Sequence, residues 1–341
     1  MRRVLEKVVS GDDLSVAESK EAMNLIMSGQ ATPAQIGGLI TALRTKGETI
    51  EEITGAAEVM RAKAAPITTN RELVVDVCGT GGDDLNTFNI STTVAFVVAG
   101  ADVAMAKHGN RSVSSKSGSA DLLEELGVDL DLTPEQVGQC IDEIGIGFLY
   151  APAFHGAMKY AIGPRRELGV RTIFNMLGPL TNPAAADVQL LGVYDPELTE
   201  PIAHVLNNLG VNSAFVVHGM VGLDELSMVG ETKVSQLDAG EVRNYYLKPE
   251  DVGLERVEID DLAGGDSKEN AQITLDILNG KADKKQGIVL LNAAAALTAA
   301  GKVADLEEGI ELAREVIEEG LALEKLEQLI EISNSLQRQA I

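Results

Sequence analysis

The chain has 341 residues, with 28 Lys and Arg against 52 Asp and Glu, and so a formal net charge of −24 at pH 7. That length exceeds the size at which one hydrophobic core stops growing, so two domains, or one large domain with a small satellite, are expected. The acidic balance excludes a nucleic-acid backbone as partner, and 3% aromatic content without Trp excludes a stacking platform for single strands.

Cys78 and Cys140 are the only cysteines. They are too far apart for a metal motif and too few for a disulfide framework, which fits a reducing cytoplasm. The basic start, Met1-Arg2-Arg3, lacks the apolar run of a signal peptide, and no uncharged apolar stretch reaches membrane-spanning length. A cytoplasmic protein with no membrane association is expected.

Residues 1–65 predict short helices. Ser15 with Glu18, Thr32 with Gln35 and Thr49 with Glu52 each carry a capping box, and Pro33 sits at a first helical position. Ile36, Leu39, Ile40 and Leu43 recur at helical spacing. A small helical domain ends near Ala65-Pro66.

From Leu73 the pattern changes. A β-branched run over 73–77 leads into the turn Gly79-Thr80-Gly81-Gly82-Asp83, and a buried helix follows over 90–101. Val103–Ala106 predicts a strand that delivers Lys107. A helix over 120–126 closes at Gly127, Thr133 with Gln136 opens another, and strands follow at 147–150, 188–193 and 214–218. Strands alternating with helices predict a largely parallel sheet covered on both faces. The segment 240–259 is more strand-rich and polar, and the last eighty residues are helical, with an Ala-rich buried helix at 287–300 and an acidic amphipathic one at 307–332.

Several motifs carry chemistry. Between Val103 and Ala120 there is no acid, while Lys107, Arg111 and Lys116 are present among glycines and hydroxyls. Cations, hydroxyls and close backbone N–H groups are what a bound phosphate needs. The Gly79–Asp83 turn fits neither the dinucleotide fingerprint nor the P-loop. It is a plain strand-to-loop turn or a backbone cradle for an anion. Asn89-Ile90-Ser91-Thr92 opens a helix, whose N-terminus suits pyrophosphate; the plainer alternative is that Asn89 or Ser91 caps it.

Asp224-Glu225 follows a strand in a glycine-rich loop, where open α/β sheets place ligands. Two carboxylates there suit Mg²⁺, or are solvated surface charges. Arg165, Arg166 and Arg171 form a second basic cluster, able to fork a planar carboxylate or to lie on a helix surface. No histidine pair has metal-ligand spacing, and no nucleophile stands out.

Together, Gly79–Asp83, Asn89–Thr92, Lys107 through Gly127, Gly163-Pro164-Arg165, Arg171 through Pro183 and Asp224-Glu225 resemble the anthranilate phosphoribosyltransferase family, in order and over nearly the entire chain. The resemblance implies a nucleoside phosphorylase/phosphoribosyltransferase-like fold. This is α/β, a small N-terminal helical domain (1–65, joined by part of 165–185) plus a larger α/β domain (66–341) with a mostly parallel central sheet covered by helices. It implies a homodimer, Mg²⁺ as cofactor, and transfer of a 5-phosphoribosyl group from phosphoribosyl pyrophosphate to anthranilate in tryptophan biosynthesis.

By the same resemblance, Gly79, Thr80, Gly81, Gly82, Asp83, Thr87, Asn89, Ile90, Ser91, Thr92, Lys107 and Ser119 bind phosphoribosyl pyrophosphate. Ser91, Asp224 and Glu225 hold the metal, and Lys107, Asp224 and Glu225 carry catalysis. Asn110 and Arg165 contact anthranilate, with Gly79, His108, Ala151, His155 and Gly178 lining its site. An aromatic amine is neutral at pH 7, so a strong general base is dispensable, which accounts for the missing proton-transfer dyad. A pyrimidine nucleoside phosphorylase on the same fold is the nearest alternative, but it has no use for the Asp224-Glu225 pair. A non-catalytic binding paralogue is disfavoured by the intact anion and metal motifs.

Overall fold

Hydroxyl caps start the first helices where the sequence places them. The computed structural model describes residues 1–82, 85–112, 116–281 and 283–339. Helices α1 (Arg2–Val9), α2 (Val16–Met27), α3 (Pro33–Lys46) and α4 (Ile50–Lys63) come first, and Ser15, Thr32 and Thr49 form complete capping boxes at α2, α3 and α4. The cap acid of α4, Glu52, is fully buried; it also accepts the Leu14 N–H at 2.9 Å and pairs with Lys46 at 3.0 Å.

The remainder alternates. β1 (Val75–Gly79), α5 (Ile90–Gly100), β2 (Met105–Gly109), α6 (Ser119–Glu125), α7 (Pro134–Ile144) and β3 (Ile146–Tyr150) come next. Then follow α8 (Ala151–Phe154), α9 (Lys159–Leu168), α10 (Ile173–Leu177), β4 (Val188–Gly192), α11 (Thr199–Asn208) and β5 (Ser213–Gly219). The chain closes with β6 (Thr232–Asp238), β7 (Glu241–Leu247), α12 (Ser267–Leu278), α13 (Lys284–Ala299), α14 (Leu306–Glu318) and α15 (Leu321–Gln339).

The described strands form one seven-stranded sheet in the order β3-β2-β1-β4-β5-β6-β7, parallel from β3 through β5 and antiparallel at β6 and β7. One face packs against α5 and the C-terminal helices; the other packs against α11 and the N-terminal helices. Ala161 of α9 and Ile173, Phe174 and Leu177 of α10 share the core of α1–α4, although they lie far along the chain.

Three expected boundaries move. Lys107 and His108 lie inside β2, because their register against Phe148 and Leu149 of β3 extends the ladder past Ala106. The strand-rich stretch is a hairpin over 232–247 turning at Gly240, and Pro249 then starts short 3₁₀ turns. The acidic C-terminal helix is two helices, parted at Gly320, whose φ of +76° suits a residue without Cβ.

Candidate active site

Strand order reverses direction between β1 and β4, and in open α/β sheets ligands bind at the carboxyl ends beside such a point. Both strands end there in glycine, Gly79 and Gly192, which face each other in register. Thr80 ties the two ends together: its N–H donates to the Gly192 carbonyl at 2.9 Å, and its hydroxyl accepts the Tyr194 N–H at 3.0 Å.

Asp224 lies over this pair. A Cβ on Gly192 would stand 1.5 Å from the Asp224 carbonyl oxygen, and one on Gly79 would stand 2.3 Å from Asp224 Oδ2. Only glycine permits the approach, and Asp224 Oδ2 accepts the Gly81 N–H at 2.8 Å. A tight turn with Gly222 at φ +99° lets the chain after β5 fold back over the sheet. Asn292 of α13 clamps it by bonding both the N–H and the carbonyl of Leu226 at 3.0 Å. The acidic pair is therefore not a solvated surface pair: Glu225 is 8% exposed. Burial raises the Asp224 carboxyl above its usual range, against the Gly81 N–H and the charges of Lys107 and Arg171, which lower it.

Lys107 is 4% exposed, and its Nζ donates to the His108 carbonyl at 3.2 Å. The start of α5 lies on the same side of the sheet as its stem. Asn89 occupies the N-cap position of α5 without capping it. Its amide donates to the Ser117 carbonyl at 3.1 Å and accepts from Asn270 of α12 at 2.9 Å, so it ties the segment before α6 to the start of α5. Ile90 sends its N–H to the Phe88 carbonyl and its side chain into the core. The N–H groups of Ser91 and Thr92 fall in the first turn, where a helix has no internal acceptors. The Thr92 hydroxyl is buried without a hydrogen-bond partner. Thr87 bridges to Ala263.

Ser119, at the head of α6, places its hydroxyl 3.2 Å from both the N–H and the carbonyl of Asn110; a Cβ on Gly109 would collide with it. Asn110 is exposed, and its own side chain accepts the Arg111 N–H at 2.8 Å. Arg111 pairs with Glu124 at 2.7 Å and Asp121 at 3.0 Å. Asp121 also accepts the N–H groups of Ser112 and Gly118 at 2.9 Å and so fastens the base of the loop. Asp83 lies outside the described residues, as do 113–115.

At the end of β2, the rings of His108 and His155 lie 5.2 Å apart. Each bonds a backbone group, at Gly178 and Thr181 respectively, and each leaves a buried Nε2 without a partner. Burial drives the His108 imidazole down to about 3, helped by His155 and Lys107, and drives His155 down to about 4. Both rings are neutral. Ala151 opens α8 just after β3, and Gly178 closes α10. Arg165 is half-buried with its guanidinium 5.1 Å from the Phe174 ring, and burial works against its charged state. Arg171 instead bonds the Gly82 carbonyl and stacks 4.5 Å over Tyr194, bracing the glycine turn, while Arg166 is exposed. The second basic cluster thus divides among separate tasks.

Sequence reading missed Asp76, Asn182, Gln189, Asn270 and Asn292. The signal was present for Asp76, an acid inside a β-branched run; buried amides on distant elements leave no local trace.

Residues 71–323 match the glycosyl transferase family a/b domain, and residues 2–64 its helical bundle domain. The anthranilate phosphoribosyltransferase of Acetivibrio thermocellus is 57% identical over 335 residues, 98% of this chain and 97% of that protein. The crystal structure of anthranilate phosphoribosyltransferase from Thermus thermophilus superposes with a TM-score of 0.93 at 45% identity, covering 97% of this chain and 99% of that one. The Saccharomyces cerevisiae anthranilate phosphoribosyltransferase, in complex with PRPP and Mg, superposes with a TM-score of 0.90 at 31% identity, covering 98% of each.

Proposed function

This chain belongs to the anthranilate phosphoribosyltransferase family, and from that premise we infer that it transfers the 5-phosphoribosyl group of phosphoribosyl pyrophosphate to anthranilate, yielding N-(5-phosphoribosyl)anthranilate and pyrophosphate in tryptophan biosynthesis. The observation that carries the reading is Asp224 laid over Gly79 and Gly192 at the strand switch point, beside the buried cation Lys107. A recess in an acidic molecule that buries a lysine among glycines and free helix-start N–H groups is suited to a diphosphate.

The donor is held by the Gly79–Gly82 turn, by Thr87, Asn89, Ser91 and Thr92 at the head of α5, by Lys107 and by Ser119. As the bond from C1′ to the diphosphate breaks, negative charge grows on the leaving group. Lys107 and the first-turn N–H groups of α5 are already in place to meet it, with little reorganisation.

The oxygen donors Asp224, Glu225 and Ser91 fit Mg²⁺, which favours one or two carboxylates and completes its shell with water and phosphate oxygens. The fit rests on a carboxylate fixed in a cradle that a single Cβ would fill. When bound, the ion neutralises charge on the diphosphate.

Arg165 pairs with the anthranilate carboxylate and Asn110 orients the acceptor, while His108 and His155 present neutral rings to the amine. Gly178 and Ala151 keep the approach narrow. The molecule works as a cytoplasmic homodimer. Its helical domain spans 1–65 together with part of 165–185, and its α/β domain spans 66–341. Among the described residues no helix is long and apolar enough to cross a membrane.

The test mixes the protein with anthranilate, phosphoribosyl pyrophosphate and Mg²⁺ and follows anthranilate fluorescence. Loss of signal that requires all three components supports the reading. Stable signal with folded protein overturns it.

A further inference from the structure

β1 and β2 share one ladder position, Val75 opposite Met105. Beyond it, side chains take over the ladder's work. Asp76 Oδ1 accepts the His108 N–H at 3.1 Å, and Asn182 Nδ2 donates to the Ala106 carbonyl at 2.8 Å. Past Met105, the strand that carries Lys107 is therefore held on its β1 side by a carboxylate and an amide rather than by backbone.

Asp76 is fully buried where a parallel strand normally carries an aliphatic side chain. Its neighbours are donors: the His108 N–H, Gln189 Nε2 at 3.5 Å, the Asn182 amide and the Cys78 thiol. Neither amide can turn round. Gln189 Nε2 also donates to the Pro179 carbonyl at 2.9 Å, and Asn182 Oδ1 accepts the Ala184 N–H at 2.8 Å. Burial raises the Asp76 carboxyl above its usual range, while Lys107 and these donors act in the opposite direction. Lys107 and Arg61 are cations that act on Asp76, and Lys107 is tied to it through a single residue: the His108 N–H bonds Asp76 while the His108 carbonyl takes the Lys107 ammonium.

We propose that Asp76 is a positioning residue for Lys107: from the gap between β1 and β2 it fixes the Lys107–His108 peptide and holds the ammonium in place for the diphosphate. The proposal rests on the phosphoribosyl transfer inferred above. Gln189 and Asn182 serve it in turn, tying Asp76 to the 179–182 turn that packs against α4.

The test is Asp76→Asn, which keeps size and an acceptor for the His108 N–H but removes the charge. Steady-state kinetics are run beside the wild type, with thermal unfolding as the check on folding. We expect kcat/KM for phosphoribosyl pyrophosphate to fall at least tenfold while KM for anthranilate stays within twofold. In a Lys107→Arg background, where the geometry of the pair is already changed, the same substitution should cost less than threefold. Should Asp76→Asn not yield folded protein, Gln189→Met carries the same comparison. Unchanged donor kinetics, equal losses for both substrates, or a full tenfold loss in the Lys107→Arg background each overturn the proposal. A wild type without turnover would instead overturn the reaction itself.

Discussion

Asp224 Oδ2 accepts the N–H of Gly81 at 2.8 Å, joining the glycine turn after β1 to the acidic turn after β5. The contact exists because the two strand ends beneath it carry no Cβ. Gly79→Ala would place a methyl 2.3 Å from that same oxygen. The substitution is expected to lower kcat/KM on the order of 100-fold, as misplacements near 1 Å do, while the melting temperature changes little. Wild-type kinetics in folded Gly79→Ala would show that the position of Asp224 is immaterial.

Asp224→Asn combined with Glu225→Gln keeps shape and removes both carboxylates. Magnesium-dependent turnover should disappear while circular dichroism and melting stay near wild type. Retained turnover with the same magnesium dependence would remove the metal from this pair.

Arg165 stacks on Phe174, and among the described residues no acid pairs with it, which leaves the guanidinium to fork a carboxylate. A charged hydrogen bond is worth roughly 1.5–3 kcal/mol. Arg165→Ala should therefore raise KM for anthranilate about tenfold or more and leave KM for phosphoribosyl pyrophosphate nearly unchanged. Equal effects on both would discredit the assignment.

His108 and His155 bind protons only near pH 3 and pH 4 in the folded protein. An unfolded histidine does so near 6.5. Below that value the unfolded chain takes up protons that the folded chain refuses, so these residues make stability fall as pH drops from about 6.5 towards 4. Each contributes up to ~1.4 kcal/mol per pH unit. Urea unfolding at pH 7 and pH 5 should show a smaller difference in His108→Gln than in the wild type. An identical difference would mean that His108 is not buried neutral.

Much of this was legible in the chain. The capping boxes at Ser15, Thr32, Thr49 and Thr133 fix helix starts through interactions three residues apart, which a linear reading sees. Gly79, Lys107 and Asp224 announced themselves by residue type against the local composition. What stayed hidden depends on distant parts of the chain. Arg111 reads as an unpaired cation until α6 brings Glu124 and Asp121 to it. Asn89 reads as a cap until Asn270, 181 positions away, draws its side chain aside. Lys107 reads as the residue that follows a strand until β3 extends the ladder to it. Asp76 interrupts an apolar strand, but its meaning required the missing β1–β2 ladder.

The account stands on a recess in which Lys107, the glycine turn and the head of α5 grip an activated sugar diphosphate together with a divalent ion at Asp224 and Glu225. Titration calorimetry with phosphoribosyl pyrophosphate tests this directly. Saturable binding with Mg²⁺, sharply weakened with a chelator or in the Asp224→Asn, Glu225→Gln variant, is the predicted result. Folded wild-type protein that shows no heat of association in the presence of Mg²⁺ would contradict it.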